Sequence, residues 1–124
     1  MANNSIVLIV EDDASLRRIL EIKFRNKGYQ VYSARDGAEG HDLIIKEKPQ
    51  VLITDIHMPK MDGKSLCEKT YELKKENPFL TIVITSLVSE DHSWIDEMDE
   101  TELMLKPFDL NKLTSRVDQY LGSA

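Results

Sequence analysis

The sequence predicts an α/β fold in which helices cover both faces of a five-stranded parallel sheet. Short apolar runs alternate five times with longer segments of helical periodicity, and this alternation is typical of parallel sheets with helical crossovers. The runs at 6–10 and 81–84 are apolar almost without interruption, as expected for strands buried on both sides. The chain has 124 residues, the size of one domain. We therefore expect a single domain over residues 1–124 with a core at about 5–121.

The predicted elements follow one another in a regular order. Predicted strands cover residues 6–10, 31–32, 51–54, 81–85 and 103–105. Predicted helices cover about residues 14–27, 37–48 and 64–76, together with a last segment after Asp109. An aspartate precedes each of these helices, namely Asp13, Asp36, Asp62 and Asp109. Aspartate is a favoured N-cap, since its carboxylate accepts hydrogen bonds from free N–H groups of the first turn.

Composition and charge exclude several classes of protein. Hydrophobic residues make up 41% of the chain, which argues against disorder, and no apolar run reaches the roughly 18 residues of a membrane span. The net charge is −6 and the sequence has no basic stripe, so we expect no direct contact with nucleic acid. The N-terminus does not resemble a secretory signal. The single cysteine, Cys67, excludes an intrachain disulfide and fits a reducing compartment, and we expect the protein to be cytoplasmic.

Charged and hydroxyl side chains stand where the predicted strands end. Glu11 and Asp12 follow the first strand, Asp55 follows the third, Thr85 ends the fourth, and Lys106 follows the fifth. The carboxyl ends of parallel strands share one edge of the sheet, and ligands bind there in open sheets of this kind. Clustered carboxylates repel each other, and a hard divalent cation such as Mg²⁺ relieves the repulsion. A carboxylate beside Mg²⁺ can act as a nucleophile toward a phosphoryl group, and a lysine can hold the anion.

These residues resemble the receiver domain of two-component response regulators. Asp12, Asp55, Thr85 and Lys106 stand at the spacing of that family, and Pro107-Phe108 follows the lysine as it does there. Two further motifs match, D-x-x-M-P-x-M-D-G at 55–63 and A-x-D-G-x-E at 34–39. The resemblance covers essentially the whole chain. It implies a flavodoxin-like, doubly wound sheet with strand order 2-1-3-4-5 and five helices.

The resemblance also implies a role for each site residue. Asp55 is the expected phosphoacceptor, Thr85 the switch hydroxyl and Lys106 the phosphate contact. The expected Mg²⁺ ligands are Asp12, Asp55, Glu11 through a water molecule, and the backbone carbonyl of His57. The Lys106-Pro107 peptide bond is expected to be cis. The side chain of His57, two residues after the phosphoacceptor, is expected to influence how long the phosphoryl group persists.

The implied function is a signalling switch controlled by phosphorylation. A sensor histidine kinase or phosphotransfer protein would phosphorylate Asp55, and the modified domain would act on a downstream effector protein. Such a chain is not an enzyme, although it assists its own Mg²⁺-dependent phosphoryl transfer and autodephosphorylation. Whether phosphorylation causes dimerisation stays open. The alternative is an interaction module that ignores phosphate, whereas a phosphatase of the dehalogenase type would need an acid in place of His57.

The segment before the fifth strand departs from the family pattern. Leu103 stands where receivers usually carry Tyr or Phe, and the usual Gly-Ala-Asp-Asp run is absent. We therefore expect a fourth helix that is short or remodelled, and a changed route of signal relay. Trp94 and Met98 lie in this segment, and either filling of the local core or an exposed patch for a partner is compatible with the sequence.

Overall fold

The computed structural model describes residues 5–87 and 90–122. The strands are β1 Ile6–Val10, β2 Gln30–Ala34, β3 Val51–Asp55, β4 Leu80–Thr85 and β5 Thr101–Leu105. The helices are α1 Ala14–Asn26, α2 Gly37–Glu47, α3 Gly63–Glu76, α4 Ser93–Asp96 and α5 Leu110–Leu121. The sheet order is β2-β1-β3-β4-β5, and every pair of neighbouring strands is parallel. The predicted fold class, strand order and number of helices are confirmed.

Four of the five strands differ from the prediction at one or both ends, and β4 begins at Leu80, one residue earlier than predicted. β2 and β5 are longer than their apolar runs, because parallel pairing with β1 and with β4 begins at Gln30 and at Thr101. β3 includes Asp55, which pairs with Ile84, so the carboxylate is the last residue of the strand and does not follow it. Residues with polar side chains can pair through their backbone at strand ends, so the hydrophobic pattern underestimates strand length.

Each face of the sheet has its own hydrophobic core. α1 and α5 cover one face, where Leu20, Phe24, Leu113 and Val117 pack against alternate residues of β1, β3 and β4. α2 and α3 cover the opposite face, where Ile44, Leu66 and Phe79 pack with Leu8, Val10, Ala34 and Leu52. Helices on both faces leave the carboxyl edge of the sheet free, and that edge is where the candidate site lies.

The fourth helix is a single turn of four residues, as the divergent sequence predicted. Ile95 is buried, and Trp94 and Met98 are half-buried against the same cluster, which includes Cys67 and Val83. The packing supports the local-core interpretation of Trp94 and Met98. Among residues 5–87 and 90–122, no helix has the length and apolar character needed to cross a lipid bilayer.

Candidate functional site

Three carboxylates meet at the carboxyl edge of the sheet. β1 and β3 are neighbours, with Val10 opposite Thr54, so the residues that end or follow these strands lie side by side. Ligand oxygens of Glu11, Asp12 and Asp55 all lie within 4.8 Å of one another. Glu11 is 2% exposed and Asp55 8%, whereas Asp12 faces solvent. The structure thus brings together the three acids that the sequence predicted as metal ligands.

Lys106 reaches into this acidic cluster. Its backbone N–H donates to the Thr85 carbonyl over 2.8 Å, which fixes the start of the loop after β5. Its Nζ lies 2.9 Å from Asp55 Oδ2 and 3.4 Å from Glu11 Oε1. The Lys106-Pro107 peptide bond is cis, as the sequence predicted. The ammonium therefore stands beside the predicted phosphoacceptor, where it can also contact an anion bound there.

Burial and mutual charge perturb the acids and the lysine. Burial raises the pKa of Glu11 to about 7, and the charge of Asp55 adds to this, whereas the Asp13 N–H and Lys106 oppose it. Burial acts to lower the pKa of Lys106, but its hydrogen bond to Asp55 and the charges of Glu11 and Asp55 raise the pKa on balance. One ammonium does not neutralise three carboxylates, so the cluster favours an additional cation.

Thr85 lies at the same edge, one residue beyond the pairing of Ile84 with Asp55. The residue is fully buried, and its Oγ1 accepts a hydrogen bond of 3.1 Å from the Leu87 N–H. This bond uses the oxygen as an acceptor, so the hydroxyl proton is available for donation. The predicted switch hydroxyl is therefore held by the segment that follows β4.

His57 lies in the loop directly after the phosphoacceptor. Its backbone N–H donates to Asp55 Oδ1 over 3.4 Å, which places the residue at the rim of the site. Its ring contacts a second loop, where Nε2 lies 2.7 Å from Glu90 Oε1. No sequence signal predicted the contact with Glu90, because the two residues are far apart in the chain and belong to no common motif.

A glycine keeps α3 close to the phosphoacceptor. The Gly63 N–H donates to the Ile56 carbonyl over 2.7 Å, and a Cβ at Gly63 would lie 2.2 Å from the Asp55 carbonyl oxygen. Asp62 caps the helix by accepting from the Ser65 N–H. The sequence predicted the Asp-Gly pair as the end of the 55–63 motif and the start of a helix, and in the structure Gly63 also provides the space for the backbone of Asp55.

Comparisons with known proteins agree with this geometry. The family model of the response regulator receiver domain matches residues 7–118. The proteins named probable transcriptional regulator ycf27 from Porphyridium aerugineum and Guillardia theta are 36% and 38% identical, over 93% and 90% of this chain. A solved CheY-like receiver domain protein from Methanospirillum hungatei is 26% identical with a TM-score of 0.82, covering 97% of this chain and 96% of that one.

The chain belongs to the response regulator receiver domain family. Receiver domains are components of two-component systems, in which they interact with histidine kinases and effectors. The match extends over 47% and 43% of the length of the two curated relatives, so the chain spans about half of those proteins.

Proposed function

We propose that this domain is a phosphoacceptor switch whose Asp55 receives a phosphoryl group from a histidine kinase or a phosphotransfer protein. The observation that supports this most directly is the 2.9 Å contact between Lys106 Nζ and Asp55 Oδ2 inside a cluster of carboxylates. In the transfer, a carboxylate oxygen of Asp55 attacks phosphorus and a P–O bond forms. The P–N bond of the phosphohistidine breaks, and its electron pair returns to the imidazole, which then takes a proton from solvent.

The donor set fits Mg²⁺. Glu11, Asp12 and Asp55 supply only hard oxygen ligands, and the exposure of Asp12 leaves room for the waters that Mg²⁺ retains. The backbone carbonyl of His57 completes the proposed ligand set, with Glu11 acting through a water molecule. When bound, Mg²⁺ would neutralise charge that develops on the transferring group.

Lys106 and Thr85 would couple phosphorylation of Asp55 to a change of conformation. Lys106 would exchange part of its contact with Asp55 for a phosphoryl oxygen, and the Thr85 hydroxyl would donate a hydrogen bond to another. These contacts would favour one of two conformations, which an effector protein distinguishes. Regulation of transcription is one such output, since the curated relatives carry that description. The chain then acts as a phosphoacceptor in the cytoplasm and not as an enzyme on external substrates.

Intact-mass measurement after incubation with acetyl phosphate and Mg²⁺ tests the proposal. The wild type is expected to gain the mass of one phosphoryl group, and acetate leaves with the electron pair of the broken P–O bond. Asp55→Asn, or wild type with EDTA, is expected to gain nothing. A folded wild type that binds Mg²⁺ but gains no mass would refute the proposed switch.

A phosphate-independent interaction module is the second candidate. Two observations favour it. α4 has only one turn, and Leu103, in the place of the usual aromatic residue, is 37% exposed. Both features lie where a conformational signal would leave the site. Equal affinity of wild type, phosphorylated wild type and Asp55→Asn for the same effector would favour this candidate over the switch.

A further inference from the structure

We propose that Glu90 is a positioning residue that acts through His57 to hold the switch hydroxyl in its unphosphorylated arrangement. The inference rests on the proposed phosphoacceptor function of Asp55 and adds to it a residue that the receiver motifs do not include. The contact that carries it is the His57–Glu90 bridge, in which Nε2 and Oε1 are 2.7 Å apart. This bridge joins the loop after β3 to the connection between β4 and α4.

One end of the bridge is anchored at the phosphoacceptor. His57 follows Asp55 by two residues, and its backbone N–H donates to Asp55 Oδ1 over 3.4 Å. Any change in the charge or position of that carboxylate group therefore acts on the backbone that carries the His57 ring.

The other end of the bridge is connected to the switch hydroxyl. The Glu90 N–H donates to the Leu87 carbonyl over 3.4 Å, and the Leu87 N–H donates to Thr85 Oγ1 over 3.1 Å. His92 Nε2 also lies 2.9 Å from the same Leu87 carbonyl. A continuous chain of hydrogen bonds thus runs from Asp55 through His57, Glu90 and Leu87 to Thr85.

This chain opposes movement of Thr85 toward a phosphoryl group. If the Thr85 hydroxyl moves inward, the Leu87 N–H must follow or lose its acceptor, and Glu90 is then pulled against His57. The two side chains of the bridge are 48% and 42% exposed, so the bridge is weak and reversible. It biases the conformational equilibrium by roughly two- to fivefold, as expected of one exposed hydrogen-bonded pair, and does not lock it.

Phosphoryl uptake from acetyl phosphate and Mg²⁺ tests the inference with four variants. Glu90→Ala is expected to raise the uptake rate roughly two- to fivefold over wild type, because it removes the bias of the bridge. Glu90→Gln retains an acceptor for the ring and is expected to stay near the wild-type rate. Glu97→Ala removes another exposed acid, on the far side of α4, and controls for net charge. Combining His57→Ala with Glu90→Ala should add nothing to Glu90→Ala.

Hydrogen exchange of the Leu87 amide in the unphosphorylated protein is the second measurement. Glu90→Ala is expected to speed this exchange, whereas Glu97→Ala leaves it unchanged. Unchanged uptake and unchanged exchange in Glu90→Ala would overturn the inference while the proposed function stands. A double variant faster than Glu90→Ala would also overturn it, since Glu90 would then not act through His57. A wild type without any phosphoryl uptake would overturn the proposed function and this inference together.

Discussion

Replacing Lys74 with methionine is expected to lower the free energy of unfolding by about 2 kcal/mol. The Lys74 ammonium, on α3, joins two other parts of the fold. Its Nζ lies 2.8 Å from the Asp99 carbonyl and 3.3 Å from the Glu100 carbonyl, in the turn before β5. It also lies 3.0 Å from Thr101 Oγ1 and 3.1 Å from Thr81 Oγ1. One side chain thus connects α3 with the starts of β4 and β5.

The magnitude follows from what methionine removes and what it keeps. Met retains most of the apolar stem and removes the ammonium, with its hydrogen bonds and its contact with the Phe79 ring, whose centroid lies 4.9 Å from Nζ. A hydrogen bond to a charged group contributes about 1.5–3 kcal/mol when buried. Lys74 is half-buried, so in the variant water can replace some of the lost hydrogen bonds. Burial also lowers the pKa of Lys74, because desolvation disfavours the ammonium, and this offsets part of the stabilisation from the hydrogen bonds. About 2 kcal/mol remains, equivalent to a fall in Tm of roughly 6–10 °C.

Urea denaturation followed by fluorescence of Trp94, the single tryptophan, measures this change. Lys75→Met is the matched control, because the neighbouring ammonium is exposed and its contacts, with Glu72 at 3.2 Å and with the Tyr71 ring centroid at 6.0 Å, stay within α3. The control is expected to change stability by less than about 0.5 kcal/mol. If Lys74→Met costs no more than Lys75→Met, the ammonium does not connect these elements in solution and the reasoning is refuted.

Three further predictions concern groups at or near the site. Glu11 has a pKa of about 7 in the fold against 4.5 as a free side chain. Between these pH values the folded state binds more protons than the unfolded state, so the free energy of unfolding falls as the pH rises from 4.5 to 7. Glu11→Gln removes this loss, so its free energy of unfolding at pH 8 without Mg²⁺ should exceed that of the wild type by about 1–3 kcal/mol, measured by urea denaturation. Equal stability of variant and wild type at pH 8 would contradict the prediction. Burial raises the pKa of the Cys67 thiol to about 12, so its reaction with a disulfide reagent at pH 8 should follow the opening rate of the fold, and reaction at the rate of a free thiol would count against this. Gly63→Ala places a Cβ 2.2 Å from the Asp55 carbonyl oxygen and should lower the free energy of unfolding by about 3 kcal/mol, which an unchanged melting temperature would disprove.

Local signals in the sequence predicted the helices well. Four aspartates were predicted at helix starts, and each accepts a hydrogen bond from the first turn of its helix, as Asp13, Asp36, Asp62 and Asp109 show. The capping carboxylate and the N–H group that donates to it lie within three residues of each other, so the sequence contains the whole interaction. The ends of β2 and β5 were predicted less well, because their polar residues join the sheet only through pairing with β1 and β4.

The sequence by itself also determined which residues form the candidate site. Parallel strands end at one edge, so placing Glu11, Asp12, Asp55, Thr85 and Lys106 at strand ends was enough to predict that they gather there. The distances and the pKa of Glu11 required the structure, because burial depends on how the neighbouring strands and loops cover the carboxylate.

Only the tertiary structure decided the contacts between loops. The His57–Glu90 bridge and the oxygens around Lys74 join segments that share no motif and no periodicity. Gly63 and Asp55 belong to one motif, but their close approach depends on how α3 packs against the end of β3. A periodic pattern records which face of an element is buried, but it contains no information about which loop side chains meet across the edge of a sheet. Those contacts arise only after the strands have set the positions of the loops.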